Sequence, residues 1–226
     1  MYNFTPNFNF RNIDLAATNT LICPDQYVAV YTIGTALLSR TYSSISYDLD
    51  VNGNPKSFTK RKNTIAIILE SPHIDEFEYV NGILAPKGPL VGKWNDFAQN
   101  FDGAIKNSKI YQKINGRKSY NIAFLNAVQY QCSLGKPLSG KHSYNTQKNK
   151  NVINCWHSGF NIDLIKRLQA LQPTIIINLV GKNSSFANQI YNMIATPNNG
   201  VSHITYTDGY HPSCWIRNKK SKKLID

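Results

Sequence analysis

Three short apolar runs constrain the fold of this chain more than any other feature. They lie at 64–69, 120–125 and 174–180, and isoleucine dominates the first and the last. Each run is too short for a buried helix, and its isoleucine and aromatic residues favour strands. Because segments with helical spacing separate the runs, we predict parallel βαβ units whose ligands bind beyond the carboxyl ends of the strands.

The remaining segments complete this α/β pattern. Apolar residues at helical spacing predict helices at 25–39, 94–105, 161–171 and 185–193, with Ser184 or Ser185 as a cap. A fourth strand is expected at 201–206. Residues 70–93 are predicted to be irregular, and 129–151 to form a functional loop, because that stretch is basic and has little periodicity.

Composition and charge indicate the class of protein and its partner. With 226 residues and 42% hydrophobic residues, we expect one domain over 1–226, with an N-terminal extension at 1–60 and a basic tail at 217–226. The formal charge of +12 is concentrated at 60–62, 136–150 and 217–223, which suits a polyanion such as DNA. A solvated basic surface would have the same composition.

Location and redox state follow from what the sequence lacks. No secretory signal and no membrane-spanning run is evident, so we expect an intracellular, cytoplasmic monomer without membrane contact. The four cysteines are Cys23, Cys132, Cys155 and Cys214. Their spacing indicates neither a zinc site nor a disulfide framework, and we expect buried free thiols.

Polar residues follow the predicted strands and mark a candidate site. Glu70 comes directly after the first apolar run, Asn126 after the second, and His211 lies in a loop after the fourth strand. A carboxylate and a histidine at one sheet edge are suited to acid/base chemistry. Surface positions for Glu70 and His211, and a turn-capping role for Asn126, are the structural alternatives.

Several segments, in order along the chain, resemble motifs of the uracil-DNA glycosylase superfamily, and of its iron-sulfur branch in particular. They are 69–73 (LESPH), 87–93 (KGPLVGK), 124–128 (FLNAV), 154–156 (NCW), 171–173 (LQP) with 177–181, and 210–213 (YHPS). The correspondence spans about 150 residues and keeps the order of the parts. It implies a three-layer α/β/α fold with a short, mainly parallel central sheet and a DNA glycosylase that flips a base and hydrolyses its N-glycosidic bond.

The resemblance also implies residue roles. Glu70 would act on the sugar and water side, and His211 would donate a hydrogen bond to the departing base. Base binding would involve Asn126, Leu90, Ser71 and Pro72. DNA contacts would come from His73, Gly88, Pro89, Lys93, Ser213, Trp215, Arg217, Lys219 and Lys220. Trp215 or Ile216 would be a wedge in the stack, or Trp215 a core residue.

Departures from the family pattern limit the substrate and the cofactor. The iron-sulfur branch uses four cysteines, of which Cys155 alone is in place, so we expect no cluster, no metal and no cofactor. Leu90 stands where the related motif commonly has an aromatic residue, and the tyrosine that excludes larger pyrimidines is missing. The expected substrate is therefore a modified or damaged pyrimidine, such as one in hypermodified phage DNA encountered in antiviral defence.

Other functions fit the same residues. Uracil repair is one alternative, and a catalytically inactive DNA-binding protein of the same fold is another. A metal-dependent nuclease built from Glu70, Asp75, Glu76 and His211 is a third, although the acidic group 75–78 is more typical of a solvated turn. Because the resemblance supplies no lysine at the nucleophile position, we expect a monofunctional glycosylase.

Overall fold

The computed structural model describes most of the chain between residues 22 and 212. The described residues are 22–35, 43–45, 47, 61–90, 94–114, 118–130, 132, 141–181, 184–197, 199–201, 204–212 and 225. They form a mixed α/β fold around a six-stranded sheet, which confirms the predicted class. None of the described helices is both long and apolar enough to cross a bilayer.

The sheet is mainly parallel and is built around the isoleucine-rich strands. Its strands are β1 (Gln26–Tyr31), β2 (Ser43–Ser44), β3 (Thr64–Leu69), β6 (Tyr120–Asn126), β7 (Ile175–Asn178) and β8 (Thr205–Asp208). The order is β2-β1-β6-β3-β7-β8. Strands β6, β3, β7 and β8 run parallel, and β1 joins β6 in antiparallel orientation. The three apolar runs are confirmed as adjacent central strands.

Helices pack on both faces of the sheet. On one face lies α1 (Trp94–Lys106), whose buried residues include Phe97 and Phe101. The opposite face holds α2 (Lys141–Cys155), α3 (Asn161–Leu171) and α4 (Ser185–Ala195). A turn at Trp156–Phe160, in which Gly159 has a φ of 129°, joins α2 to α3. The predicted α3 and α4 are confirmed, and Ser184 Oγ accepts from Ala187 N at 3.0 Å as the cap of α4.

Several sequence-based predictions about secondary structure are wrong. The segment predicted as a first helix at 25–39 contains strand β1, whose residues pack on both sides of the sheet. Residues 36–39 of that segment lie outside the described residues, and the helical spacing of Val28 and Tyr31 did not decide between helix and strand. Part of the predicted loop at 129–151 is helix α2, which is so polar that periodicity does not reveal it. The last strand, predicted at 201–206, lies at Thr205–Asp208.

The stretch predicted as irregular after Glu70 contains a two-stranded hairpin. Strand β4 (Phe77–Val80) pairs with β5 (Ile83–Pro86). The connecting Asn81 and Gly82 have φ of 52° and 78°, the left-handed conformation that two-residue hairpin turns require. The Asn-Gly dipeptide between the two strands is therefore a sequence signal for this hairpin.

A buried cluster of charges around Arg167 joins the helical layer to the sheet. Arg167 is 1% exposed, and its guanidinium bonds to Asp25 Oδ1 and Oδ2 at 3.0 and 2.9 Å and to Asp163 Oδ2 at 2.7 Å. Tyr47 and Gln129 donate to the same Asp25 carboxylate. Burial opposes the charge of Arg167, but the nearby carboxylates raise its pKa, so it stays ionised.

The Arg167 cluster predicts a large effect on stability. Arg167→Met should lower the free energy of unfolding by about 3–5 kcal/mol, because it leaves two carboxylates buried without their cation. Urea unfolding followed by circular dichroism measures this loss. Lys109→Met, which removes an exposed lysine, should stay within about 0.5 kcal/mol of the parent. Equal stability of the two variants would contradict the role given to Arg167.

Candidate functional site

The strand register brings Glu70 and Asn126 together at the carboxyl edge of the sheet. Leu69 is paired with Asn126 in the parallel ladder between β3 and β6. The pairing continues beyond the strand ends, where Val128 N donates to Glu70 O at 3.0 Å. Because these bonds fix both backbones, the two side chains predicted to share a site emerge from neighbouring positions.

Asn126 has a fully buried side chain whose amide has no hydrogen-bond partner. It is 0% exposed, and neither Oδ1 nor Nδ2 is paired with any group in the described part of the chain. Its backbone oxygen, by contrast, accepts from Arg167 Nη2 at 3.1 Å. Burying an unpaired amide costs free energy, so such a group is typical of a site that pairs with a ligand.

Asn178 shows what a purely structural asparagine looks like at the same sheet edge. It is also 0% exposed and ends strand β7, which is separated from β6 by β3. Its Nδ2 donates to Tyr206 Oη at 2.8 Å and to Asp208 Oδ1 at 3.0 Å, and its Oδ1 accepts from Val180 N at 3.2 Å. The fold therefore satisfies the buried amide of Asn178, whereas both polar atoms of the Asn126 amide have no hydrogen-bond partner among the described residues.

Glu70 forms an ion pair that the sequence analysis missed. Its side chain is 19% exposed, and Oε1 is in contact with Lys148 Nζ from helix α2. Lys148 lies on the same helical face as the buried Val152 and Cys155, four and seven residues further on. That spacing was a usable signal, but the polar composition of α2 concealed the helix.

The charge of Lys148 also acts on His211. His211 follows β8, whose exit is fixed by a hydrogen bond from Gly209 N to Asn178 O at 2.8 Å. Burial, together with the positive charges of Lys148 and His73, lowers the pKa of His211 to about 4. The imidazole is therefore neutral at pH 7 and donates one N–H.

His73 lies at the surface beside the site. Its side chain is 52% exposed, and its Nδ1 lies 3.2 Å from Asp75 Oδ2, with which it forms an ion pair when the imidazole is protonated. An exposed imidazole three residues after Glu70 is compatible with its predicted contact to DNA. Ser71 is half-buried and Pro72 is buried between these two residues.

The segment predicted to contact phosphates through Gly88 and Pro89 is buried. Gly88 has a φ of 127°, and a Cβ there would lie 2.1 Å from Gln26 Oε1, so glycine permits close packing against β1. Pro89 is buried as well. Both residues are buried in the unbound protein, and their predicted contact with phosphates stays a prediction.

Leu90 occupies an apolar environment. It is 3% exposed, has a φ of 59°, and belongs to the hydrophobic cluster that includes Phe97 of α1. Its backbone N donates to Glu76 Oε1 at 2.9 Å, which explains why Glu76 is buried and does not belong to a solvated turn. Contact of Leu90 with a base stays a prediction.

Some predicted site residues lie outside the described part of the chain. These are Lys93, Ser213, Trp215, Arg217, Lys219 and Lys220, together with Ile216 and Cys214. Their predicted contacts with DNA, and the proposed wedge, stay predictions.

Two cysteines pack together beneath the site. Cys132 and Cys155 are buried free thiols joined by a hydrogen bond, which together with burial raises the pKa of Cys132 well above its usual range. Cys23 is a third buried free thiol. Within the described ranges, no three His, Cys, Asp or Glu side chains are grouped to hold a metal ion. The described thiols therefore do not fit a four-cysteine iron-sulfur cluster.

The contrast between the two buried asparagines predicts opposite effects on stability. Asn126→Leu should leave the free energy of unfolding unchanged or raise it by about 1 kcal/mol, because no side-chain hydrogen bond is lost. Asn178→Leu should lower it by about 1–3 kcal/mol, because it leaves buried partners unpaired. Urea unfolding of both variants measures the difference. Equal losses would show that Asn126 is as structural as Asn178.

Comparison with known proteins adds no assignment to this geometry. The chain matches no protein-family model. It also matches no curated protein sequence. Any function must therefore be argued from the residues at the carboxyl edge of the sheet.

Proposed function

We propose that this protein is a DNA glycosylase, similar to the uracil-DNA glycosylase superfamily, which flips a pyrimidine nucleotide and hydrolyses its N-glycosidic bond. The unpaired, fully buried amide of Asn126 is the observation that supports this most strongly. An amide offers an acceptor and donors side by side, which complements the Watson-Crick edge of an extruded base. The desolvated amide recovers its hydrogen bonds when the base enters.

Glu70 suits the sugar side of this reaction. Breaking the N-glycosidic bond develops positive charge on the sugar, and a nearby carboxylate stabilises that charge. Glu70 leaves the sheet next to Asn126 and is only partly exposed. It can therefore face the sugar of a base held by Asn126, orient the attacking water and accept its proton. The reaction leaves an abasic site without a covalent enzyme intermediate.

His211 suits the departing base. Negative charge develops on the base as the bond breaks, and a hydrogen-bond donor near the pyrimidine oxygen stabilises it. With a pKa of about 4, His211 is a neutral donor at pH 7. The Lys148 ammonium adds a positive charge nearby. In the proposed complex the His211 donor faces the base and the Glu70 carboxylate faces the sugar.

The proposed substrate is a modified or damaged pyrimidine in DNA, and protection against hypermodified phage DNA is the proposed setting. The formal charge of +12 favours binding of an intracellular monomer to DNA. Leu90 in place of an aromatic residue leaves room for a larger base than uracil. Uracil repair remains the closest alternative and requires the same catalytic groups.

The nuclease alternative has less support from the geometry. Among its four predicted residues, Glu76 is buried and accepts from Leu90 N at 2.9 Å. Asp75 is exposed and pairs with His73. Both carboxylates therefore have structural partners, and Glu70 is paired with Lys148. A shared metal site would require these groups to rearrange.

Detection of free bases by mass spectrometry tests the proposal directly. The parent protein should release one kind of base from a panel of genomic DNAs that includes modified phage genomes. Glu70→Gln and His211→Ala should each slow release by about 10²–10⁴-fold, because each removes one group that stabilises the transition state. Glu78→Gln and His157→Ala, which alter an exposed carboxylate and an exposed histidine, are the matched controls and should retain parental rates.

Different outcomes separate the alternatives. Release of uracil alone would indicate a repair enzyme. Salt-dependent DNA binding without release of any base would indicate an inactive DNA-binding protein. EDTA-sensitive strand cutting without base release would indicate a nuclease. Full activity of Glu70→Gln and His211→Ala would show that the site is assigned wrongly.

A further inference from the structure

Lys148 connects the two proposed catalytic residues. Its Nζ is in contact with Glu70 Oε1, and its charge contributes to the lowered pKa of His211. The Lys148 side chain is only 30% exposed, unlike a typical solvated lysine. The ammonium group therefore contacts a carboxylate that follows β3, and its charge also acts on an imidazole that follows β8.

The last turns of helix α2 hold Lys148 in this place. Val152 and Cys155, on the same helical face, are buried in the core between the helices and the sheet. Asn151 is also buried, and its Nδ2 donates to Cys132 O at 3.4 Å. These contacts fix the backbone of the helix, so the position of the ammonium follows from the fold and not from a chance surface pairing.

The charged groups around His211 come from separate elements. Lys148 approaches from α2, and His73 from the segment after β3, and both act against protonation of His211. Glu70, the carboxylate in this cluster, is paired with Lys148. Asp75 pairs with His73 at the surface. The remaining influence on His211 is burial, which also opposes a positive charge.

We propose that Lys148 is a positioning residue that orients the Glu70 carboxylate and places a positive charge near His211. This inference rests on the proposed glycosylase activity for its catalytic consequence. Contact with the ammonium fixes one carboxylate oxygen and leaves the other to face the sugar or a water. The same charge discourages a second cation at His211, so His211 remains a neutral donor throughout the reaction. Lys148 thus acts both on the residue proposed to face the sugar and on the residue proposed to face the base.

A histidine titration by NMR tests the electrostatic part without requiring activity. The Hε1–Cε1 signal of His211, identified through a His211→Gln variant, should titrate near pH 4 in the parent protein. Lys148→Met should raise this midpoint by about one pH unit, because one nearby positive charge is removed while burial and His73 remain. Lys148→Gln is a second neutral variant in case the first folds poorly. Lys148→Arg should keep the parental midpoint.

Lys150→Met is the matched control. It removes the same charge from an exposed position on the same helix, and it should leave the His211 midpoint unchanged. If Lys150→Met shifts the midpoint as much as Lys148→Met does, the effect comes from overall charge and the proposal fails. The proposal also fails if neither neutral Lys148 variant shifts the midpoint.

Kinetics test the orienting part. Lys148→Met should lower kcat for base release by about 10–100-fold with KM nearly unchanged, and Lys148→Arg should restore most of the loss. A raised KM at parental kcat would show that Lys148 binds DNA and does not position Glu70. Trapping of a covalent Lys148–DNA adduct by borohydride would show that it is a nucleophile. If the parent releases no base while the NMR shift is seen, the proposed function fails and the electrostatic role of Lys148 stands.

Discussion

The site depends on a buried guanidinium. Arg167 binds two carboxylates, and its Nη2 donates to the backbone oxygens of Asn126 and Ala127 at 3.1 and 3.4 Å. The chain that leaves β6 is therefore held by ionic hydrogen bonds inside the protein, where they are strong. Because its backbone is anchored in this way, the Asn126 side chain can remain unpaired without the local structure rearranging to satisfy it.

Along the sheet edge, the residues that stabilise the fold differ from those proposed to act on a substrate. Asn178 and its partners Tyr206 and Asp208 satisfy one another, so they contribute to folding. Asn126 and His211 instead lower the stability of the fold. The Asn126 amide is buried without hydrogen-bond partners, and burial of the His211 imidazole opposes its protonation. Sites of this kind are stable only when neighbouring structure compensates, which here is the role of the Arg167 cluster.

The sequence reveals the parts of this fold whose signal is local. The apolar strands β3, β6 and β7 are recognisable because both faces of each are buried, and the positions of Glu70 and Asn126 follow from the strand ends. Arg167 and Lys148 were missed because their roles depend on residues distant in sequence. Arg167 does lie on the face of α3 that also contains Leu164, Leu168 and Leu171, which is a signal for a buried charge. A charged residue on an apolar helix face therefore indicates a buried ionic contact, just as a polar residue at a strand end indicates a candidate site.

The Asp25–Arg167 contact also limits when the site can form during synthesis. The two residues are 142 positions apart, and the adjacent strands β6, β3 and β7 are separated by long stretches of chain. Such a topology has a high contact order. It slows folding because the entropy of closing long loops is lost before the native contacts form and offset that loss. On the ribosome, the Asp25 carboxylate cannot reach its cation until α3 has emerged, so the proposed base-binding edge is assembled late.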